Sequence, residues 1–384
     1  MSAPRPRCGG GLPRALPLLL LALSSCFDNA PTPAEDPLRP GDASARAVAA
    51  PGPDAQARLR EALELDLAPE VAAEARGALL APESSVELRA MAALVLAQVG
   101  ESRAALDACR GDAPATRLAR ARILLEQFDD PAGAAACLLD ADGRARDADS
   151  GAAWLLAGRA RARAQDCAGA TPLLVEGLRL APHEPDSAPS RALLFSCALQ
   201  RGARDEAPAL ERAARASAQW QATLKARRLQ ARARPREPLP RIGIAELWLS
   251  VDEPRRALAA LDEWSGDPLG RDAARLVSLR GECLRRAGER EAARAELARA
   301  RALAPDDAEL AAFEALLARD EGDRPRALDL MRRACDMTAA REGRLLRAQL
   351  ELARWLLEDG RADEARERHA RYLELGGDEP LERR

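Results

Sequence analysis

A spacing constrains this chain more than any single residue does. From Ala274 to Asp307, the residues Val277, Gly281, Leu284, Gly288, Ala293, Leu297, Ala300 and Pro305 set large and small positions around a turn glycine and a closing proline. The following 34 residues, from Ala308, carry Ala315, Gly322, Ala327 and Ala334 at the same offsets. A unit of this length holds two amphipathic helices and a tight turn. One such hairpin cannot bury its apolar stripe alone, so neighbouring units must stack. Small side chains mark where two antiparallel helices approach closely: Gly281 and Ala293 belong at the crossing, with Leu284 and Leu297 beside it. Pro305 and its counterpart Pro182 stop a second helix, because proline cannot donate its amide.

Looser copies surround this pair. Gly151 to Glu184 carries Trp154, Gly158, Ala170, Leu174, Gly177 and Pro182, and Ala188 to Gln221 carries Leu194, Gly202, Ala207 and Ala214. Ile244, Ala245, Trp248, Ala257 and Leu261 follow the scheme from about Pro238, and Leu352, Ala353, Leu356, Gly360 and Ala365 from about Leu346. Weaker units begin at Val86 and Ala115. The composition agrees: 47% of the chain is apolar but only 3% aromatic, with Ala and Leu dominating, which favours helix over strand. The chain reads as all-α. Over about 290 residues it resembles the tetratricopeptide repeat family. That resemblance implies a right-handed superhelical solenoid of antiparallel helix pairs, with a concave and a convex face. Arg280 and Arg161 depart from it, standing where the family usually has leucine and an aromatic residue.

Two stretches interrupt the repeats. Gln230 to Arg241 holds Pro235, Pro238 and Pro240, which are read as forbidding helix and as dividing an amino-terminal region, 55–235, from a carboxy-terminal one, 236–384. Asp140 to Ser150 reads as a longer loop between repeats. Ala55 to Ala81 matches no unit well and reads as a capping hairpin.

The amino terminus carries different information. Arg5, Arg7 and Arg14 precede the apolar run Ala15 to Leu23 without an acidic residue, the charge order of a secretory leader. The run is shorter than the ~20 residues that span a bilayer. Leu23, Ser24, Ser25 and Cys26 resemble the lipobox of bacterial lipoproteins, which implies cleavage before Cys26, diacylation of its thiol and acylation of the new amino terminus. Residues 1–25 are then a signal peptide. Residues 26–54, rich in proline and alanine and poor in large apolar side chains, read as a disordered tether. The lipoprotein resemblance also implies a lipid-anchored protein of the cell envelope, on the outer membrane facing the periplasm, since Phe27 and not aspartate follows the cysteine.

Losing the leader leaves 55 basic against 61 acidic residues, a net charge of −6. Such a chain is a poor nucleic-acid binder, and no nucleic-acid partner is expected. The cluster Arg227, Arg228, Arg232 and Arg234 accordingly reads as solvated helix surface. Cys109, Cys137, Cys167, Cys197, Cys283 and Cys335 form no CxxC, and only two histidines exist, so no metal site is expected. Thiols are expected at all six; were two to pair, Cys109 and Cys137 occupy matching places in successive units. No glycine loop, nucleophile with base or carboxylate pair stands out, so the chain reads as a non-enzyme without catalytic residues or cofactor. His183, Glu184 and Asp186 occupy the turn after a repeat, where polar residues are expected. Trp154 and Trp248 fall at large, buried repeat positions.

The candidate functional residues come from the resemblance. In the tetratricopeptide family the first helix of each repeat lines the groove, and the corresponding offsets here place Arg159, Arg163, Arg275, Glu282, Arg285, Arg286, Leu316, Arg319, Leu350, Arg354 and Leu357 on that wall. Of these, Arg275, Arg285, Arg286 and Arg354, with Leu316, Leu350 and Leu357, would suit an extended, acidic segment of another protein. The reading is a membrane-anchored extracytoplasmic scaffold that binds other proteins. Its alternative is a helical subunit of a cell-wall-modifying enzyme system, which an isolated buried glutamate in a deep cleft would support.

Overall fold

The computed structural model describes residues 54–264, 270–337 and 343–382. These form eighteen helices and one isolated bridge between Leu139 and Ala145. The first five hairpins are α1 (Ala55–Leu65) with α2 (Ala68–Leu80), α3 (Val86–Gln98) with α4 (Ser102–Ala108), α5 (Pro114–Gln127) with α6 (Pro131–Leu138), α7 (Gly151–Arg163) with α8 (Cys167–Leu180), and α9 (Ser187–Gln200) with α10 (Ala207–Ala233). Four more follow: α11 (Pro238–Ser250) with α12 (Pro254–Asp262), α13 (Gly270–Arg286) with α14 (Arg290–Leu303), α15 (Ala308–Asp320) with α16 (Arg324–Asp336), and α17 (Gly343–Glu358) with α18 (Ala362–Glu374). The architecture is an all-α, TPR-like solenoid of paired helices packed consecutively.

Every hairpin turns the same way. One residue after each odd-numbered helix has positive φ: Asp66, Gly100, Asp129, Gln165, Gly202, Asp252, Gly288, Gly322 and Gly360. A left-handed residue there folds the chain back within a few positions, the job glycine does without steric cost. Five of the nine are glycine; of the others, three are aspartate, which tolerates this region, and Gln165 is the least suited. Aspartates then start several second helices: Asp130, Asp166 and Asp323 accept the amide hydrogens of Gly133, Gly169 and Arg326 at 2.8, 2.8 and 3.2 Å.

The crossings use the small residues that the spacing singled out. A Cβ on Gly281 would lie 2.6 Å from Cδ2 of Leu297, and one on Gly177 would lie 2.8 Å from the backbone nitrogen of Leu155. Ala293 is fully buried and Leu297 nearly so. The apolar interior is a series of patches along the array and not one centre. One joins α1 to α5, another α5 to α8, and a third α7 to α9. Beyond them, one joins α10 to α13, one α13 to α15, and one α15 to α18.

Four expectations need correction. Helix resumes at Pro238, so the break is confined to Arg234–Glu237; Pro238 and Pro240 occupy the first turn of α11, where the missing amide hydrogen has no intrahelical partner to lose. The hairpin begun by α9 ends in a helix of 27 residues, because nothing between Pro208 and Pro235 breaks it. Trp154 is half-buried at the edge of its patch, its indole N–H donating to Ala148 O at 2.8 Å, whereas Trp248 is buried as expected. Finally, Cys167 and Cys197 are joined by a disulfide, with Cα atoms 5.2 Å apart, while Cys109, Cys137, Cys283 and Cys335 remain thiols. Matching positions in successive hairpins lie about one helix-packing distance apart, ~8–10 Å, which is beyond disulfide reach. Cys167 opens α8 and Cys197 sits on the adjoining α9, inside that limit.

Candidate functional site

Successive odd-numbered helices pack on one another from α1 to α9 and again from α11 to α17, while even-numbered helices pack on their odd-numbered neighbours. Closer spacing on the odd side curves the array toward it, making the odd helices the inner wall. All of the candidate arginines and leucines stand on odd-numbered helices. Between its two stretches stands α10, packed on both α9 and α11.

In the carboxy-terminal stretch the wall is crossed by ion-pair ladders. Arg275 of α13 reaches Glu246 of α11 at 2.9 Å and Glu309 of α15 at 3.7 Å. Two turns on, Glu282 is buried, and its two carboxylate oxygens accept from Arg285 at 2.7 Å and Arg286 at 2.8 Å. Arg285 continues to Asp320 of α15, and Arg286 to Leu249 O of α11 at 3.0 Å. Arg319 pairs with Glu358 of α17 at 2.8 Å and lies over the Trp355 ring at 4.5 Å. Arg354 spans Glu351 at 3.5 Å and Glu379 at 2.9 Å. Burial works against the Arg285 charge, but hydrogen bonding and attraction from Glu282 and Asp320 more than reverse it, so its pKa is raised. For Glu246, burial raises the pKa, and Arg275 and Arg227 offset part of that.

This arrangement changes what the arginines can do. Arg275, Arg285, Arg286 and Arg354 were expected to await a partner's carboxylates; each already holds carboxylates of this chain. Leu350 is only 1% exposed and belongs to the core, so it offers no contact area to a partner. Leu316 and Leu357 are half-buried beside the last apolar patch.

In the amino-terminal stretch, Asp186 is 7% exposed and receives both Arg122 of α5 and Arg159 of α7. Arg159 also reaches Glu126 at 3.2 Å, and Arg163 donates to Leu125 O. The turn residues around Asp186 are likewise tied down. Glu184 pairs with Arg256 of α12 at 2.7 Å, and its carbonyl accepts from Gln221 of α10 at 2.6 Å. His183 lies 5.4 Å from Trp220, which meets Trp248 edge-on at 4.9 Å. Burial, with Arg191 nearby, lowers the His183 pKa. This aromatic cluster joins the two stretches of the array.

Sequence reasoning missed one constellation altogether. Arg228 and Arg232 of α10 were read as solvated surface, yet together with Lys225 they pair with Asp66, Glu64, Glu61 and Glu70 at the other end of the amino-terminal stretch. The spacing of three and four residues, which puts all three cations on one helix face, was the available signal. The proposed lipidation site, Cys26, lies outside the described residues. Among the described residues no group of three potential metal ligands occurs, and no helix is long and apolar enough to cross a membrane.

No family model matches the sequence, and no curated protein matches it significantly. Solved structures similar to it include MamA, at 18% identity over 42% of this chain and 91% of that one, with a TM-score of 0.30. Another is a tetratricopeptide repeat protein from Parabacteroides merdae, at 15% identity over 65% and 94%, TM-score 0.30. A third is pilF of Pseudomonas aeruginosa, at 18% identity over 60% and 90%, TM-score 0.26. Overlays this loose carry no functional argument.

Proposed function

We propose that the protein is a lipid-anchored, extracytoplasmic scaffold of the cell envelope, on the outer membrane facing the periplasm, which binds extended segments of other proteins along the inner wall of its solenoid. The observation that carries the binding reading is that wall: a curved row of odd-numbered helices whose polar side chains are held in fixed positions by partners on adjacent helices. A pre-ordered surface loses little side-chain freedom when it is covered, so more of each contact appears as affinity. The anchoring reading rests on the leader and on Leu23 to Cys26. The Cys167–Cys197 disulfide supports an oxidising compartment.

The enzyme-subunit alternative asks for an isolated buried glutamate. Glu282 is buried but shared by two guanidiniums, so it is not the isolated carboxylate that reading asks for. The test has two parts. Replacing Cys26→Ser should leave an uncleaved precursor that no longer follows detergent on phase partitioning. Arg319→Glu places a negative charge against Glu358 on the exposed part of the wall and should lower partner capture from native membranes without loss of helix content; equal capture with Arg319→Glu would move the binding site off this face.

A further inference from the structure

The 27-residue α10 has two differently furnished edges. Its Leu224 and Ala231 are buried with Ile242, Ile244, Trp248 and Leu279 in the patch that belongs to the carboxy-terminal stretch. Its Lys225, Arg228 and Arg232 point elsewhere, to the start of the amino-terminal stretch some 160 residues away in sequence. Lys225 pairs with Asp66, Arg228 with Glu64, and Arg232 with Glu61 at 3.3 Å and Glu70 at 2.5 Å. The acidic partners lie in one strip, from the last turn of α1 through the linking turn to the first turn of α2. The amino-terminal stretch therefore bends round until its first hairpin meets α10, and Glu64 comes near enough to Glu184, before α9, to feel its charge.

The composition of this contact is unusual. Most apolar residues of α1 and α2 belong to the patch shared with α3 to α5; Ala62 and Leu65 are buried outside it, where α1 comes close to α10, and neither is part of the apolar patch that holds Leu224 and Ala231. All four pairs are half-exposed, so water and ions reach them. At Glu64, burial and the neighbouring Glu184 raise the pKa while Arg228 and Arg60 oppose them, so even the best-covered pair is only partly compensated. Exposed pairs of this kind are individually weak, and salt weakens them further, as the screening length shrinks from ~30 Å at 0.01 M to ~3 Å at 1 M.

We propose that α10 is a salt-labile clasp: its basic edge closes the amino-terminal arc chiefly by charge, and the α1–α2 end swings away when the pairs are screened or removed. Closed, the arc encloses the wall bearing Arg122, Asp186 and Arg159; open, that wall becomes accessible. The role of the wall in binding rests on the scaffold reading, whereas the clasp does not.

Lys225 is the only lysine in the chain, which provides a direct test. A zero-length carbodiimide condenses its amine with a carboxylate in contact, the water lost being taken up as urea, and mass spectrometry locates the isopeptide. The full chain, without any partner, should give a link between Lys225 and the segment 61–70 at low ionic strength. The yield should fall at least about threefold in 1 M salt, with helix content unchanged. Arg228→Gln with Arg232→Gln, which leaves Lys225 and Asp66 in place, should produce the same fall at low salt. Absence of the link at low salt, or a yield indifferent to salt, overturns the clasp. The salt series needs no variant to fold. Failure of the scaffold reading alone would leave the link and its salt dependence intact.

Discussion

In the carboxy-terminal stretch Glu282 is buried and shared by two guanidiniums, whereas the pairs that close the amino-terminal arc, such as Arg228 with Glu64, stand half in water. The two stretches use the same hairpin and the same left-handed turn. They differ in where their charges meet. On the carboxy-terminal wall the charges link adjacent helices that are already packed, so they fix side chains in place. Across the amino-terminal arc they link helices from opposite ends of the stretch that share little packing, so they fix a shape. Charge with little packing gives the weaker joint, and the arc also carries a covalent one, the disulfide between α8 and α9.

The largest expected effect probes the ladder. Glu282→Ala leaves Arg285 and Arg286 partly buried without their shared carboxylate, and should cost about 3–5 kcal/mol. Hydrogen exchange should localise the loss to α11, α13 and α15. An effect below about 1 kcal/mol would place Glu282 on the same footing as the clasp. Next, Cys197→Ser removes the staple of the arc and should cost about 2–4 kcal/mol. Titrating the mature, denatured but unreduced protein should find four thiols among the six cysteines that remain after Cys8 and Cys26 are set aside; six would abolish this half of the comparison.

Overpacking comes third. Ala293→Leu forces α13 and α14 apart where Gly281 and Leu297 already touch, at about 1–3 kcal/mol. Arg232→Ala breaks two exposed pairs and should change global stability by no more than about 1 kcal/mol. A loss as large as that of Glu282→Ala would show that the clasp is a structural joint and not a labile one. The smallest effect should be a gain. Gln165→Gly relieves a left-handed glutamine, a state that costs roughly 1–2 kcal/mol, against the extra chain entropy of glycine, leaving a net stabilisation below about 1 kcal/mol.

The hairpins were most readable where a side chain's size reports its surroundings directly. Gly281, Ala293 and Leu297 meet as their spacing implied, because a close crossing admits only small residues whatever else the fold does. The long α10 was also readable, had the lack of any breaker between Pro208 and Pro235 been weighed above the expected repeat length. The turn after α7 was harder: Gln165 adopts a conformation its own chemistry disfavours, imposed by the helices on either side. Charges were the least readable. Arg285 meets Glu282 three residues back on its own helix, but only the register between distant helices decides that it also meets Asp320, and that Arg228 meets Glu64. Disulfide choice fails for the same reason, since Cys167 and Cys197 are neighbours only once α8 and α9 are stacked.

The division of the interior into successive apolar patches has a mechanical meaning. A globule with one core resists pulling until it gives way everywhere at once. Here each patch ties together only a few helices, and each hairpin leans only on the next. If the amino end is held by lipid and a load is applied at the far end, the array can lengthen in steps, one patch yielding while the others hold. The disulfide caps that extension within α8 and α9. Beyond it, the molecule is a spring with several coils of unequal stiffness, and the softest coil is the one whose ends meet chiefly through Lys225, Arg228 and Arg232.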